Sequence, residues 1–307
     1  MDLRLVEYFV AVVDHDSVTK AARALYIAQP SLSQAIRSLE RQLGVELFDR
    51  TGRKLTLTAD GRAFVGPARR ILADLDHAGA KVQAVRDGLS GRLEIAVLST
   101  LSADPLPELT SRLHRAHPGI RLSVLDPGSA AGVLGQVRGG RAELGLTELP
   151  DRGGTLQSHV LWDQEIALVL PPDLAATLPD PVPLTAVAAI PLVVETSDAD
   201  ALPVAGSVAV QCAHRHAVWE LVRHGAGAAF LPRRIAETEL RDVVVRSTVP
   251  PIRRPVGLVH RPGPLSPAAA AFLEAAELVR RDCADAAYPA PASATNSRPA
   301  GESAPGS

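Results

Sequence analysis

The sequence predicts a chain in three parts: a helical unit containing a helix-turn-helix and a two-stranded wing, one long helix, and an α/β region. Three observations predict this order. Apolar residues recur at helical spacing near the start, a regular four-three apolar repeat follows, and strands alternate with helices over most of the remainder. The 307 residues suffice for two or three domains with a sizeable core.

Composition narrows the class of protein. The formal net charge is −2, so any attraction to nucleic acid has to come from a local positive patch. Two cysteines do not make a disulfide framework. The N-terminus has no basic segment followed by an apolar run, and no apolar stretch has the length of a membrane span, so we expect a cytoplasmic protein without a membrane partner.

The helix-turn-helix is predicted between Val18 and Gly44, after a first helix over Leu3–Val13. Its second helix begins near Gln29, and its apolar stripe consists of Leu32, Ile36, Leu39 and Leu43. The opposite face carries Ser33, Gln34, Arg37 and Arg41. Hydroxyl, amide and guanidinium groups read base edges and phosphates in a major groove, which indicates a recognition helix. The alternative is a pair of ordinary amphipathic helices with a solvated polar face.

A wing is predicted directly after this helix. The segment 50–54 is a turn with three cations and a glycine, and Leu55–Thr58 alternates like a short strand. Such cations would meet the phosphate backbone or the minor groove beside the recognition helix. The alternative is a charged hairpin tip that is only solvated.

The long helix follows from Ala59 to Ser90. Apolar residues recur at steps of four and three at Phe64, Ala68, Ile71, Leu75, Ala78, Val82, Val85 and Leu89. This is coiled-coil spacing and predicts a homodimer through the same helix of a second copy. Pro67 lies inside the repeat and predicts a kink or a restart of the helix.

The remainder reads as strands alternating with helices, which implies a mostly parallel sheet. Predicted strands cover 93–98, 120–125, 142–147, 190–194, 208–211, 243–246 and 256–260, and two more lie on either side of residues 162–164. Ligands bind at the carboxyl ends of such strands, where this chain has hydroxyls and bare backbone suited to a small polar or anionic ligand. A last helix is predicted over 267–281, and the Ala-, Pro- and Ser-rich tail 284–307 is predicted to be disordered.

The sequence carries only weak signals of an enzyme, and we expect no enzymatic activity. His214 and His216 are two residues apart on a predicted helix and cannot share a face, and no third ligand accompanies His114 and His117. The GAGAA run at 225–229 precedes a strand, which is the wrong context for a phosphate loop. Cys212 is a candidate redox sensor, but a buried thiol acting as a small apolar group is the commoner case.

The run SVTKAARALYIAQPSLSQAIRSLERQLGVELFDR resembles the LysR-type transcriptional regulators, through A-A-x-x-L, Q-P-S-x-S-x-x-I, L-E-x-x-L-G and L-F-x-R at these spacings. PLPELTSRLHRAHPGIRLSV, GLTEL and GAGAAFLP are similar to the family's effector domain, so the resemblance covers about residues 1 to 282. It implies two Rossmann-like subdomains, as in periplasmic binding proteins, with a ligand cleft between them. The division it implies is 1–58, the winged helix-turn-helix; 59–90, the linker helix; 91–161 with 261–283, subdomain I; 162–260, subdomain II; and 284–307, the tail.

The resemblance also implies partners and sites. The partners are double-stranded DNA at an interrupted dyad, a second copy in a dimer or tetramer, and a small effector, with RNA polymerase as a further candidate; no cofactor is implied. The DNA-contacting positions fall on Ala28, Gln29, Pro30, Ser33, Gln34, Arg37, Arg50 and Arg53. The effector positions fall on Ser99, Thr100, Ser102, Thr147, Glu195, Thr196 and Ser197.

Two departures keep alternatives open. The stretch between the strands at 190–194 and 208–211 is shorter than the family's, so the cleft is more open, the ligand is unusual, or the regulator works without a ligand. Glu195 disfavours a simple anionic effector unless a cation offsets it. A solute-binding or enzymatic α/β protein with an incidental helical front end is the alternative from another class, which needs neither the wing nor the four-three repeat.

Overall fold

The computed structural model describes residues 2–49, 55–87, 89–149, 155–196 and 207–285. Its helices are α1 (Leu3–His15), α2 (Val18–Ala24), α3 (Gln29–Leu43), α4 (Ala59–Asp87), α5 (Ser99–Ala103), α6 (Leu106–Ala116), α7 (Ala130–Arg138), α8 (Pro172–Ala175), α9 (Leu184–Val187), α10 (Arg215–Arg223), α11 (Arg233–Glu239) and α12 (Pro267–Asp285). Its strands are β1 (Phe48–Asp49), β2 (Thr56–Leu57), β3 (Ser90–Val97), β4 (Gly119–Leu125), β5 (Leu144–Glu148), β6 (Gln157–Leu170), β7 (Val182–Pro183), β8 (Pro191–Glu195), β9 (Ser207–Cys212), β10 (Ala229–Pro232), β11 (Val244–Arg246), β12 (Thr248–Val249) and β13 (Ile252–His260).

The N-terminal unit is a three-helix fold with a short wing. One apolar cluster joins α1, α2 and α3, with Phe9 and Leu32 among its fully buried members. Ser17 caps α2 by accepting a hydrogen bond from the Lys20 amide, and Gly44 ends α3 with a φ of 73°, a conformation that glycine adopts without strain. Strands β1 and β2 pair antiparallel. The predicted winged helix-turn-helix is therefore confirmed.

Helix α4 does not restart at Pro67; it continues through that residue from Ala59 to Asp87. Its first turns pack on the N-terminal unit, because the Phe64 ring lies 5.2 Å from the Phe9 ring and Ala68 is buried in the same core. At the other end, Leu89 packs on the core of subdomain I. The apolar repeat therefore has a partly intramolecular cause, and the expectation that all eight residues face a second copy is corrected for these three.

Three repeat positions between those ends stay candidates for a dimer contact. Leu75 is 52% exposed, Ala78 is exposed and Ile71 is half-buried, so the described chain leaves them accessible. The side chains of Val82 and Val85 lie outside the described part of the structure. These three positions continue the four-three spacing along one side of α4, which is the pattern of a helix that pairs with another.

A single sheet runs through the α/β region in the order β10-β6-β13-β5-β3-β4, and β11 also pairs with β6. β3 is parallel to β4 and β5, whereas β13 is antiparallel to both β5 and β6. The prediction of a mostly parallel sheet was wrong for this central part, because two long strands cross between the subdomains in opposite directions. A separate parallel pair, β8 and β9, belongs to subdomain II.

The boundary between the subdomains lies inside these crossing strands. Residues 156–170 were expected to form two strands, but β6 is one continuous strand whose pairing with β13 shifts register at Val256/Gly257. Residues 162–164 do not interrupt it, because they pair with residues 254–256 of β13. Trp162 belongs to the apolar core of subdomain I, so that core extends past the predicted boundary at 161/162.

Candidate DNA-binding surface and effector cleft

The polar face of α3 is presented as the spacing predicts. Leu32, Ile36 and Leu39 are buried in the N-terminal core, which turns the other face outward. A shallow groove along that face is lined by Gln29, Pro30, Ser33, Gln34, Arg37 and Arg41. Gln29 Nε2 donates a hydrogen bond to Ser33 Oγ at 3.2 Å, which holds two of these side chains together. The structure therefore brings the predicted α3 positions onto one accessible surface.

Glu40 fixes this helix to the wing, a role that the sequence did not indicate. Its side chain is buried, and Oε1 accepts hydrogen bonds from the amides of Leu47 at 3.0 Å and Phe48 at 3.3 Å. The carboxylate therefore faces into the fold at the point where β1 begins. Glu40 also lines the groove, together with the exposed Glu46, so two carboxylates lie beside the arginines of this face.

The start of α3 lacks the usual side-chain cap. Ala28 is the N-cap residue, and no side-chain hydrogen bond caps the helix. Before it, Tyr26 adopts a φ of 56° and is 95% exposed. Ala28 presents only a methyl group and its backbone at this end of the helix, next to the polar side chains of Gln29 and Ser33.

The wing is anchored to the beginning of α4. Thr58 Oγ1 donates to the Glu46 carbonyl at 2.7 Å and accepts from the Gly61 amide at 2.9 Å. A Cβ at Gly61 would lie 2.1 Å from the Leu47 carbonyl oxygen, so only glycine fits this approach. The predicted wing contacts Arg50 and Arg53 lie outside the described residues.

Two predicted effector residues meet across the subdomains. Ser99 begins α5 in subdomain I, and its hydroxyl donates to Glu195 Oε1 of subdomain II at 3.0 Å. Thr100 and Thr147 are both buried. They follow the ends of β3 and β5, which are joined by a hydrogen bond from the Leu98 amide to the Leu146 carbonyl. Ser102 and Thr196 are exposed and take no part in this contact, and Ser197 lies outside the described residues.

Arg215 completes this contact and was missed from the sequence. Its Nε and Nη2 donate to Glu195 Oε2 at 3.2 and 2.9 Å, and Nη2 also donates to the Ser99 hydroxyl at 2.8 Å. The side chains of Arg215 and Glu195 are 14% and 11% exposed. The cation that would have to offset Glu195 is therefore present, at the first position of α10.

Several polar atoms beside this contact are buried and unpaired. Among the described residues, no hydrogen-bond partner is found for Arg215 Nη1, for the hydroxyls of Thr100 and Thr147, or for either end of the Gln164 amide. Gln164 lies on β6, where that strand passes between the subdomains. Buried polar groups are nearly always hydrogen-bonded to protein, ordered water or a ligand, so these five atoms are candidates for contacts from outside the chain.

A second contact joins the subdomains on the α11 side. Arg234 Nε lies 3.7 Å from Asp104 Oδ2, and Arg234 Nη2 lies 3.8 Å from Glu108 Oε2. Burial raises the pKa of Asp104; the positive charge of Arg234 opposes this shift, and the negative charge of Glu108 adds to it. This acid is therefore held in a place that disfavours its charged form.

Comparison with known proteins identifies the family. The profile described as "Bacterial regulatory helix-turn-helix protein, lysR family" matches residues 3–62, and that of the "LysR substrate binding domain" matches residues 86–279. The chain belongs to the LysR family. This LysR-family chain therefore pairs a DNA-binding helix-turn-helix with an effector-binding domain, the arrangement of a transcriptional regulator.

Individual relatives agree with this assignment. CitR of Bacillus subtilis is 31% identical over 173 residues, which is 56% of this chain and 59% of CitR, so the match spans under two thirds of that protein. A full-length OxyR variant from Pseudomonas aeruginosa superposes with a TM-score of 0.73 at 22% identity, covering 91% of this chain and 95% of OxyR. CbnR complexed with its target DNA has a TM-score of 0.61 at 21% identity, covering 91% of this chain and 99% of CbnR.

Other classes of site are not supported by the described residues. Within them, no three His, Cys, Asp or Glu side chains group so as to hold a metal ion. No helix in the same ranges is long and apolar enough to cross a bilayer. Cys212 is half-buried, and its sulfur lies 3.9 Å from the Val194 carbonyl oxygen and 3.7 Å from that of His214. The family is one of regulators, which are generally not enzymes.

Proposed function

We propose that this chain binds an interrupted dyad near its target promoter as a dimer, and that a small effector in the cleft modulates this binding. The observation that carries the DNA part is the face of α3, where Gln29, Ser33, Gln34 and Arg37 share one accessible groove. Glu40 holds that helix against the wing. CbnR, which has this fold, has been solved on its target DNA, which supports the same use of α3 here.

The dimer rests on α4. Its exposed Leu75 offers an apolar contact to the same helix of a second copy, and two recognition helices would then address two half-sites. The effector part rests on the unpaired buried groups between the subdomains, which favour a regulator with a ligand over one without. Assembly into a tetramer and contact with RNA polymerase stay predictions.

The test is a gel-shift titration of the full chain on its own upstream intergenic DNA, with scrambled DNA as the competitor, repeated across salt concentrations. Selective, salt-sensitive binding with a long footprint is expected. Arg37→Ala should lose about 1–3 kcal/mol of discrimination at one base step while the fold persists, because one guanidinium contact to a base edge is removed.

Arg115→Ala is the matched control, since Arg115 is an exposed arginine on the effector domain. It should leave selectivity unchanged. Equal binding of the wild-type chain to both DNAs, or unaltered discrimination by a folded Arg37→Ala chain, would contradict the assignment of α3 as the recognition helix.

A further inference from the structure

The contact between the two subdomains contains a largely buried ion pair, Arg215 with Glu195. Arg215 and Glu195 share two hydrogen bonds, and Ser99 bridges them from the other subdomain. Both charged side chains are largely shielded from water. A charge in such a place is expensive without its partner, so whatever enters the cleft has to leave neither residue unpaired.

This condition excludes ligands with one kind of charge. A simple carboxylate that binds the Arg215 guanidinium, even at Nη1 alone, brings a second negative charge beside the buried Glu195 carboxylate. An amine that binds Glu195 leaves Arg215 without its counter-ion in the same way. A molecule that carries both charges close together satisfies both residues at once, because each of its groups replaces one side of the existing pair.

We propose that the effector is a small zwitterion of the α-amino acid type. This inference rests on the proposed effector function of the cleft. The ligand carboxylate accepts from Arg215 through Nη2 and through Nη1, which the described residues leave without a partner. The ligand ammonium donates to Glu195, and the Ser99 hydroxyl, which now both donates and accepts, stays within the network.

The rest of the cleft indicates what the remainder of the ligand meets. Thr100 follows Ser99 directly, and Thr147 lies one residue past the Leu146 carbonyl that bonds the Leu98 amide. Their hydroxyls and the Gln164 amide are buried, neutral and unpaired within the described residues. Neutral hydrogen-bonding groups suit an uncharged polar side chain better than a third charge.

The experiment measures binding to the full-length chain by calorimetry and by thermal shift. The probes are the twenty proteinogenic amino acids and, for each that binds, two matched compounds: the acid lacking the amino group and the amine lacking the carboxylate. At least one amino acid is expected to bind at least about tenfold tighter than both of its matched compounds, since each of those leaves one buried charge unpaired. If no amino acid binds, or if a matched acid binds equally well, the inference is overturned.

A substitution that removes one charge and keeps the side-chain shape sharpens this test. In Glu195→Gln the ammonium partner is lost and Arg215 is freed, so preference should shift towards the matched acid rather than disappear. Arg223→Ala, an exposed position at the end of α10, is the control and should keep the wild-type order. An unchanged preference in Glu195→Gln would also overturn the inference.

The proposed function is judged separately on the same protein preparation. Selective DNA binding that responds to a simple acid, but to no amino acid, would leave the regulator intact and reject the zwitterion. If the wild-type chain binds an amino acid but does not bind DNA selectively, only the proposed DNA-binding function is rejected.

Discussion

The two halves of the molecule treat buried polar groups differently. In the DNA-binding unit, the buried carboxylate of Glu40 accepts hydrogen bonds from two wing amides. In the cleft, Thr147 and Gln164 are buried with polar atoms for which the described residues supply no partner. An unsatisfied buried group costs stability, so it persists only where another advantage offsets it. The first region therefore satisfies its buried polar group within the described chain, whereas the second leaves polar atoms that the proposed effector could contact.

The largest test of this contrast is Glu40→Ala. It removes the acceptor of the Leu47 and Phe48 amides and leaves both buried, so the N-terminal unit should lose about 3 kcal/mol of stability. Hydrogen exchange of segment 45–57 should accelerate, and urea unfolding should shift to lower concentration. Glu46→Ala, an exposed neighbour, is the control. Equal effects of the two substitutions would mean that the hydrogen bonds of Glu40 do not stabilise the DNA-binding unit.

In the cleft, by contrast, removing a buried polar group is expected to raise the stability of the protein. Gln164→Met keeps a similar length but removes an amide that has no partner within the described residues, so stability without ligand should rise by about 1–2 kcal/mol. Urea unfolding followed by tryptophan fluorescence measures this, because both tryptophans lie in the effector domain. Gln157→Met, exposed at the start of the same strand, should change little. A clear loss of stability in Gln164→Met would mean that the amide is satisfied in the protein.

The smallest expected effect concerns Asp104, the acid that Arg234 approaches across the subdomains. Because burial raises the pKa of Asp104 above its ordinary value of 3.8, the folded chain holds that proton more tightly than the unfolded chain does. Stability attributable to Asp104 therefore falls as pH rises from its ordinary pKa through its raised one. Asp104→Asn should gain stability relative to wild type over that interval and keep the gain at neutral pH. Urea unfolding at several pH values from 4 to 7 measures it.

The control for this titration is Asp173→Asn, an exposed position on α8. The change with pH in the Asp104→Asn chain is measured relative to this variant. If the Asp104→Asn difference is constant or shrinks as pH rises, the ion pair with Arg234 outweighs burial, and Asp104 resembles Glu40 after all.

Local patterns predicted the N-terminal unit well, because each signal lies within a few residues of its effect. The apolar stripe of α3, the Ser17 cap and the glycine at 44 all act over one or two helical turns. The prediction of contacts along α4 was less complete for the same reason. The four-three repeat records which side of the helix is covered, but Phe64, Ala68 and Leu89 are covered by their own chain, which periodicity cannot distinguish from a second copy.

The cleft shows the other limit of sequence reasoning. Ser99, Thr147 and Glu195 were expected near the site from the family resemblance, and their assignment to an effector stays a prediction. Arg215 was not expected, although it lies in a helix whose position was predicted. Its role depends on a contact with Ser99, 116 positions away in the chain. Neutralisation of Glu195 could have been sought among all arginines, but only the fold decides which one reaches it.

The continuity of β6 and β13 has a mechanical consequence. The two subdomains are joined by a ribbon of hydrogen-bonded strands rather than by loose connections, so any opening of the cleft has to bend or twist that ribbon. The pairing shifts register at Val256/Gly257, where only glycine fits because a Cβ on Gly257 would lie 2.2 Å from the His159 carbonyl oxygen. A side chain introduced at position 257 would therefore disturb this ribbon at the point where its register changes.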